Sequence, residues 1–315
     1  MRSSSLIITA LTVLVLTDCQ MKMPTVNPGG EYSSTCQAMK HIPPPAYRGV
    51  YINNFLEILG DTRKEDSLLV WCVENGFNAI SLYDLNTVMA DERFSSLGRF
   101  IRKTRSVYGI DQVAAVRGSR RNFIQNARYD ASRTDKNERF TVYNLENEWW
   151  NSDDCDFNCF VGHMKSMRST QAGLEKPVIA EAYIGWFRNP AGQEMQQADS
   201  LVHWLDRIMV HAYRSIPQLS YMQDRLEFLG KAAKKQNKVM DVILLFSAES
   251  DVMFDYYSET GDNYTFDDAY ADMVLQFNAA QFEGKSNIRI VGYQVFAYTW
   301  AKAARPTVPT LPRMW

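Results

Sequence analysis

The sequence predicts a single-domain (β/α)8 TIM barrel, and three observations predict it. β-prone runs alternate with amphipathic, helix-like stretches, and the alternation repeats to eight. No proline- or glycine-rich break divides residues 48–315, a length that suits this fold. The residues least suited to plain packing, a glutamate pair, several tryptophans and a histidine, fall at the carboxyl ends of the runs, where barrels of this kind assemble their sites.

At the amino terminus a short polar stretch containing Arg2 precedes an eleven-residue apolar run, Leu6–Leu16, followed by Thr17, Asp18 and Cys19. That run is too short to span a bilayer and reads as an export signal covering residues 1–18. Leu16-Thr17-Asp18-Cys19 resembles a bacterial lipobox, although Asp18 stands where a small residue is usual. The resemblance implies cleavage before Cys19, lipidation of its thiol, and an exported protein, secreted or held at a bacterial outer membrane only through that lipid. Residues 19–47 are rich in Pro, Gly, Ser and Thr, include Pro43-Pro44-Pro45, and read as a flexible tether.

Strands are expected at Gly49–Ile52, Ala79–Tyr83, Gln112–Val116, Phe140–Glu148, Pro177–Tyr183, Arg207–Tyr213, Val239–Phe246 and Ile288–Phe296. Helices, marked by apolar residues returning every three or four positions, are expected at Lys64–Asn75, Glu92–Tyr108, Asn158–Gly173, Glu194–Leu205, Gln218–Gln236 and Thr265–Phe282. A doubly wound open sheet would carry a glycine-rich phosphate loop after its first strand, and Asn53-Asn54-Phe55 stands there instead.

The chain is 46% apolar with a formal net charge of −2, which supports a large core and lacks the basic stripe that nucleic acid requires. No motif points to an organic cofactor. Apart from Cys19, the chain has Cys36, Cys72, Cys155 and Cys159, an even number in an exported chain, so one or two disulfides are plausible. Cys155, Cys159 and His163 are also spaced four apart and would share a helical face as soft metal ligands; with no fourth ligand nearby, no metal is assigned.

The most informative segment is Phe140–Trp150, FTVYNLENEWW. On a strand Asn144, Glu146 and Glu148 would share one face. Crowded, buried carboxylates raise one another's pKa, which suits a general acid near neutral pH, and the adjacent indoles of Trp149 and Trp150 could hold a sugar ring. Trp186, His211, Tyr213, Glu249 and Trp300 follow later strands onto the same predicted rim. The bland alternatives are salt-bridge partners for the glutamates in Arg117, Arg207 or Arg214, rim packing for the tryptophans, a core role for His211 and a solvated loop position for Glu249.

These short motifs resemble two groups of barrel glycoside hydrolases. Asn147-Glu148, His211-Ala212-Tyr213, Glu249 and Trp300 are similar, in order, to the Asn-Glu, His-x-Tyr, glutamate and tryptophan of the retaining clan that includes cellulases and mannanases. Less completely, Thr141, Asn144, Glu146 and Glu148 resemble the Asp-x-x-Asp-x-Asp-x-Glu of the family-eighteen chitinases and endo-N-acetylglucosaminidases, and Leu205–Arg214 their sixth strand. Both resemblances imply Glu148 as the acid.

The clan implies cleavage of a β-linked oligo- or polysaccharide with retention. Glu148 would be acid/base and Glu249 the nucleophile about 5–5.5 Å away; His211 and Tyr213 would orient it, with Asn147 and the tryptophans binding substrate. The family-eighteen pattern instead makes Glu146 steer the substrate's acetamido group, Tyr213 hydrogen-bond to it, and Glu249 a bystander. An inactive barrel serving as a cell-surface glycan-binding or structural lipoprotein is the alternative from another class.

Overall fold

A computed structural model describes residues 42–175, 178–187 and 192–304. The apolar run Leu6–Leu16, Cys19, Cys36 and the tether up to residue 41 lie outside the described residues. Among the described residues no helix is long and apolar enough to cross a membrane.

Eight parallel strands close a barrel in sequence order, each hydrogen-bonded to the next and the eighth to the first. They are β1 Tyr47–Ile52, β2 Ala79–Leu82, β3 Gln112–Arg117, β4 Val142–Leu145, β5 Ile179–Ile184, β6 Arg207–His211, β7 Met240–Ser247 and β8 Ile288–Phe296. The principal helices between and after them are α1 Thr62–Glu74, α2 Phe94–Ser106, α3 Arg120–Ser132, α4 Phe157–Gln171, α5 Glu194–Trp204, α6 Gln223–Lys235, α7 Phe266–Ala279 and α8 Tyr298–Ala304. The expected (β/α)8 barrel is therefore the fold.

Strands enclosed by helices on one side and barrel interior on the other are buried on both faces, which is why they read as apolar runs rather than as an alternating pattern. Every residue of β4 is buried. The helices turn one stripe inward; in α2 it is Leu97, Phe100, Ile101 and Thr104. Local signals fix several helix starts: the Asp61 side chain accepts from the backbone of Arg63 and Lys64, and Thr265 with Asp268 forms a capping box.

Three elements differ from expectation for identifiable reasons. Strand β4 ends at Leu145, three residues early, because after a last bond from Glu146 N to Arg117 O the chain turns, with Asn151 N donating to Glu148 O. Helix α3 was not expected: apart from Phe123, Ile124 and Tyr129 it carries few large apolar residues, and it buries Asn126 and Asp130 as well. The stretch expected to be helical from Gln218 begins with a 3-10 turn, Leu219–Tyr221, before α6.

The barrel interior is polar beneath the mouth. Tyr47 donates to Gln294 Oε1 (2.6 Å), and Gln294 Nε2 to Ser81 (3.2 Å). Arg207 is ion-paired with the fully buried Glu181, whose other oxygen accepts from Asn144 (2.6 Å). Asn144 therefore belongs to this internal network and does not stand beside Glu146 and Glu148.

Candidate active site

A cavity of about 230 Å³ opens at the carboxyl ends of the strands, lined by Glu146, Glu148 and Glu249, by Tyr51, Tyr83, Tyr183 and Tyr213, and by His211, Leu245 and Phe296. The two glutamates after β4 reach it from a turn and not from strand alternation. Glu249 follows β7 and accepts from Ser247 Oγ at 2.8 Å.

Glu148 is held by donors on both oxygens: Tyr183 Oη to Oε1 (2.8 Å) and Asn151 Nδ2 to Oε2 (2.8 Å), the second bond exposed at the rim. Glu146 lies deeper, and its Oε2 is buried with no hydrogen-bond partner among the described residues. Burial is the main cause that pushes the Glu146 carboxyl up to about 7; the charge of Glu148 adds to this and a hydrogen bond with Tyr83 opposes it. The Glu146 carboxyl is therefore about half protonated at pH 7. No arginine pairs with either glutamate among the described residues: Arg207 takes Glu181, the Arg214 guanidinium lies 4.7 Å from the Tyr221 ring centre, and Arg117 bonds to Asn86 and Gln125.

His211 is the middle layer of a stack. Its ring lies 4.9 Å from Tyr183 (7° between planes) and 4.3 Å from Tyr213 (6°). Burial, and secondarily the Arg225 cation, lower its pKa to about 3, so the ring is neutral and serves as a flat spacer that holds the two tyrosines parallel. The Tyr213 hydroxyl, already raised by burial, is raised further by Glu249, Glu146 and Glu148 in that order, which places it in the field of all three carboxylates.

The tryptophans are arranged differently from expectation. Trp149 is fully buried against Phe157 and Phe160 (ring centres 5.3 and 4.4 Å), so it is core and not a sugar platform. Trp150 is nearly buried behind Tyr183 and His211, and packs so closely on Gly185 that a Cβ there would meet the indole at 2.7 Å. Trp186 is 42% exposed over the Arg225 guanidinium. Trp300 is 39% exposed on α8, edge-on to Phe254, while Phe296 is the aromatic from β8 that lines the cavity. Asn147 is half-buried, its Oδ1 without a partner among the described residues. Aromatic walls are present, but tyrosines make them.

Two features escaped the sequence reading. Arg225, fully buried on α6, donates to the carbonyls of Gly185, His211 (3.1 Å) and Tyr221, tying the ends of β5 and β6 together beneath Trp186. Asp130 on α3 accepts from Phe140 N (3.0 Å) and Tyr143 Oη (2.7 Å), and burial pushes it up to about 7. Neither follows a motif, and only the depth of an arginine and an aspartate among apolar neighbours would have marked them.

Cys155 and Cys159 form a disulfide (Cα–Cα 5.3 Å) at the start of α4, with His163 Nε2 3.5 Å from Cys159 Sγ. The spacing that suggested soft ligands serves a covalent link. Cys72 is a buried free thiol.

No protein-family model and no curated protein sequence matches the chain. Solved structures similar to it include a 2,3-dimethylmalate lyase of the phosphoenolpyruvate mutase/isocitrate lyase superfamily (11% identity, 88% of this chain and 89% of that one, TM-score 0.43). Others are a family-eighteen chitinase from Pseudoalteromonas aurantia (12%, 82% and 98%, 0.44) and a family-two beta-galacturonidase from Eisenbergiella tayi (12%, 84% and 46%, 0.45). At these identities and TM-scores the likenesses carry no functional assignment, and the chemistry is argued from the cavity.

Proposed function

We propose that the protein is a glycoside hydrolase cleaving a β-linked glycan with retention. The observation that carries this reading is the convergence of Glu146, Glu148 and Glu249 on one aromatic-walled cavity, with the Glu146 carboxyl pushed by burial up to about 7. Glu148, at the rim, donates a proton to the glycosidic oxygen as the C1–O bond breaks, while Glu146 behind it, partly neutral, limits the negative charge beside it. Glu249 supplies the electron pair that bonds to C1, with Ser247 and Tyr213 steadying its carboxylate. Glu148 then takes a proton from water, whose oxygen displaces Glu249.

That Glu249 lines the cavity favours this route over substrate assistance, in which it would be a spectator. The test is turnover of aryl β-glycosides, chitin oligomers and N-glycans by wild type, Glu148→Gln and Glu249→Gln. Each variant is expected to lose orders of magnitude in kcat while still binding. Absence of turnover in the wild type on every β-glycan class would leave the barrel as a binder. The exported, lipid-anchored placement belongs to the same proposal; palmitate labelling that persists in Cys19→Ser would remove it.

A further inference from the structure

The catalytic cavity does not end at Glu146. Tyr83 and Glu146 are shared with an adjoining recess of about 360 Å³ over the ends of β2 and β3, whose lining includes Asp84, Asn86 and Arg117. Arg117 is 3% exposed. Its guanidinium donates to Asn86 Oδ1 (3.0 Å), Gln125 Oε1 (2.7 Å) and, more weakly, Asn122 O (3.4 Å), all uncharged, and its Nε is buried with no partner. Among the described residues no carboxylate forms an ion pair with it; Asp84 and Glu146 line the same recess without doing so. A buried cation compensated only by amide oxygens is costly unless an anion arrives to complete it.

The burial also lowers the Arg117 pKa, to about 10, which leaves the group charged at neutral pH. Glu146, which could repel an incoming anion, is only about half ionised at pH 7 because burial pushes its pKa up to about 7.

A second, independent feature continues the path. Gln125, which bonds to Arg117, also lines a surface hollow of about 470 Å³ on α3 together with Arg120, Arg121, Ile124 and Arg128. These positions are spaced one, three and four apart and so share a helix face. All three arginines are exposed, and none forms an ion pair among the described residues. Exposed arginines elsewhere on this protein do find acids, as Arg289 does with Asp241 and Arg102 with Glu138.

We propose that the recess binds an anionic group of the glycan, carboxylate or sulfate, against Arg117, and that the arginine face of α3 receives further acidic residues of the same chain. The substrate class is thus an acidic polysaccharide. This rests on the glycan reading of the central cavity and adds a charge requirement to it. Arg117 is suited to the role because its cation lines the recess and one Nη1 N–H is not used by the amide partners that hold the group in place.

The experiment measures binding, so that it is independent of turnover. Full-length Glu148→Gln protein is titrated calorimetrically, at low and at moderate salt, with oligogalacturonate, a sulfated chondroitin oligosaccharide and a neutral xylo- or cello-oligosaccharide of equal length. One or both acidic probes are expected to bind at least about tenfold more tightly than the neutral one, and which of them does identifies carboxylate or sulfate as the recognised group. Arg117→Gln should abolish that preference.

The combined Arg120→Gln, Arg121→Gln, Arg128→Gln variant should weaken the acidic probe severalfold, flatten its salt dependence and leave the melting temperature unchanged. Because these arginines are exposed, that variant decides the matter even if Arg117→Gln fails to fold. Equal or tighter binding of the neutral probe, an unaltered acidic affinity in the triple variant, or no binding of any probe overturns the proposal. A wild type that binds acidic probes but cleaves none overturns only the hydrolase reading.

Discussion

The Tyr183 hydroxyl donates to Glu148 Oε1 across 2.8 Å, joining the end of β5 to the turn after β4. The tyrosine ring is in turn fixed against His211 at 4.9 Å and 7°. A carboxyl on a turn would otherwise be free to rotate; this bond and the one from Asn151 aim it. Tyr183→Phe removes the donor and keeps the stack. We expect kcat/KM to fall about ten- to a hundredfold, the range for a hydrogen bond to a charged group, with an unchanged melting temperature. Steady-state kinetics beside a thermal melt checks this, and wild-type kinetics would show that the bond does not orient Glu148.

The proton retained by the buried Glu146 carboxyl should set the alkaline side of the activity profile. With its pKa pushed up to about 7, kcat/KM is expected to fall as pH rises through that value. In Glu146→Gln this limb should lose its position near pH 7. Initial rates from pH 5 to 9 on both proteins provide the comparison, and superimposable profiles would place the titrating group elsewhere.

The same shift has a consequence for stability. A carboxyl whose folded pKa lies above its unfolded value binds more protons when folded. Its contribution is therefore fully present below the ordinary glutamate value of 4.5, and is lost as pH rises through about 7. Above that window the folded state carries a penalty of about 3 kcal/mol. Glu146→Gln should accordingly gain stability over wild type at pH 8 and match it near pH 4.5. Denaturant unfolding at the two pH values measures the difference, and a constant offset would contradict the linkage.

Trp149 and Trp186 should separate core from rim. Trp149→Ala empties a fully buried site and is expected to cost about 3–5 kcal/mol. Trp186→Ala touches a half-exposed ring and should cost far less, even though it uncovers Arg225. Equal destabilisation in urea melts would mean that the two indoles are equivalent supports.

The Cys155–Cys159 link closes a very short loop at the start of α4, just beyond the Glu148 turn. Short loops restrict the unfolded chain modestly, so reduction is expected to cost about 2 kcal/mol without unfolding the barrel. Melts with and without reductant test this; an unaltered midpoint would show that the bridge contributes nothing.

The barrel was legible because its signals are local and repeated. Strands buried on both faces must be apolar along their length, and the helices outside them must carry one apolar stripe, so all eight strands show in composition and spacing. Helix α3 did not show, since Arg120, Arg121 and Arg128 dilute its pattern and Asn126 and Asp130 take buried positions that apolar residues usually fill. The position of the mouth was also readable, because residues after each strand in this topology gather at one end. Hence Glu146, Glu148, His211, Tyr213 and Glu249 could be nominated together from one line of text.

Which of the aromatics would face the cavity was not readable. Trp149 and Tyr183 look alike as large rings near strand ends, yet one packs beneath α4 and the other points at Glu148, a distinction made by the turn after β4. The state of Glu146 was likewise undecided. A glutamate near a strand end can be a solvated anion or a desolvated carboxyl, and only the depth of burial, which depends on Tyr51, Tyr83 and Tyr213 arriving from the ends of three other strands, selects the second for Glu146. By itself the sequence determined the topology and the end of the barrel where chemistry would gather. The tertiary structure alone decided which side chains share a desolvated space, because burial and charge proximity arise between strands and leave no mark along any one of them.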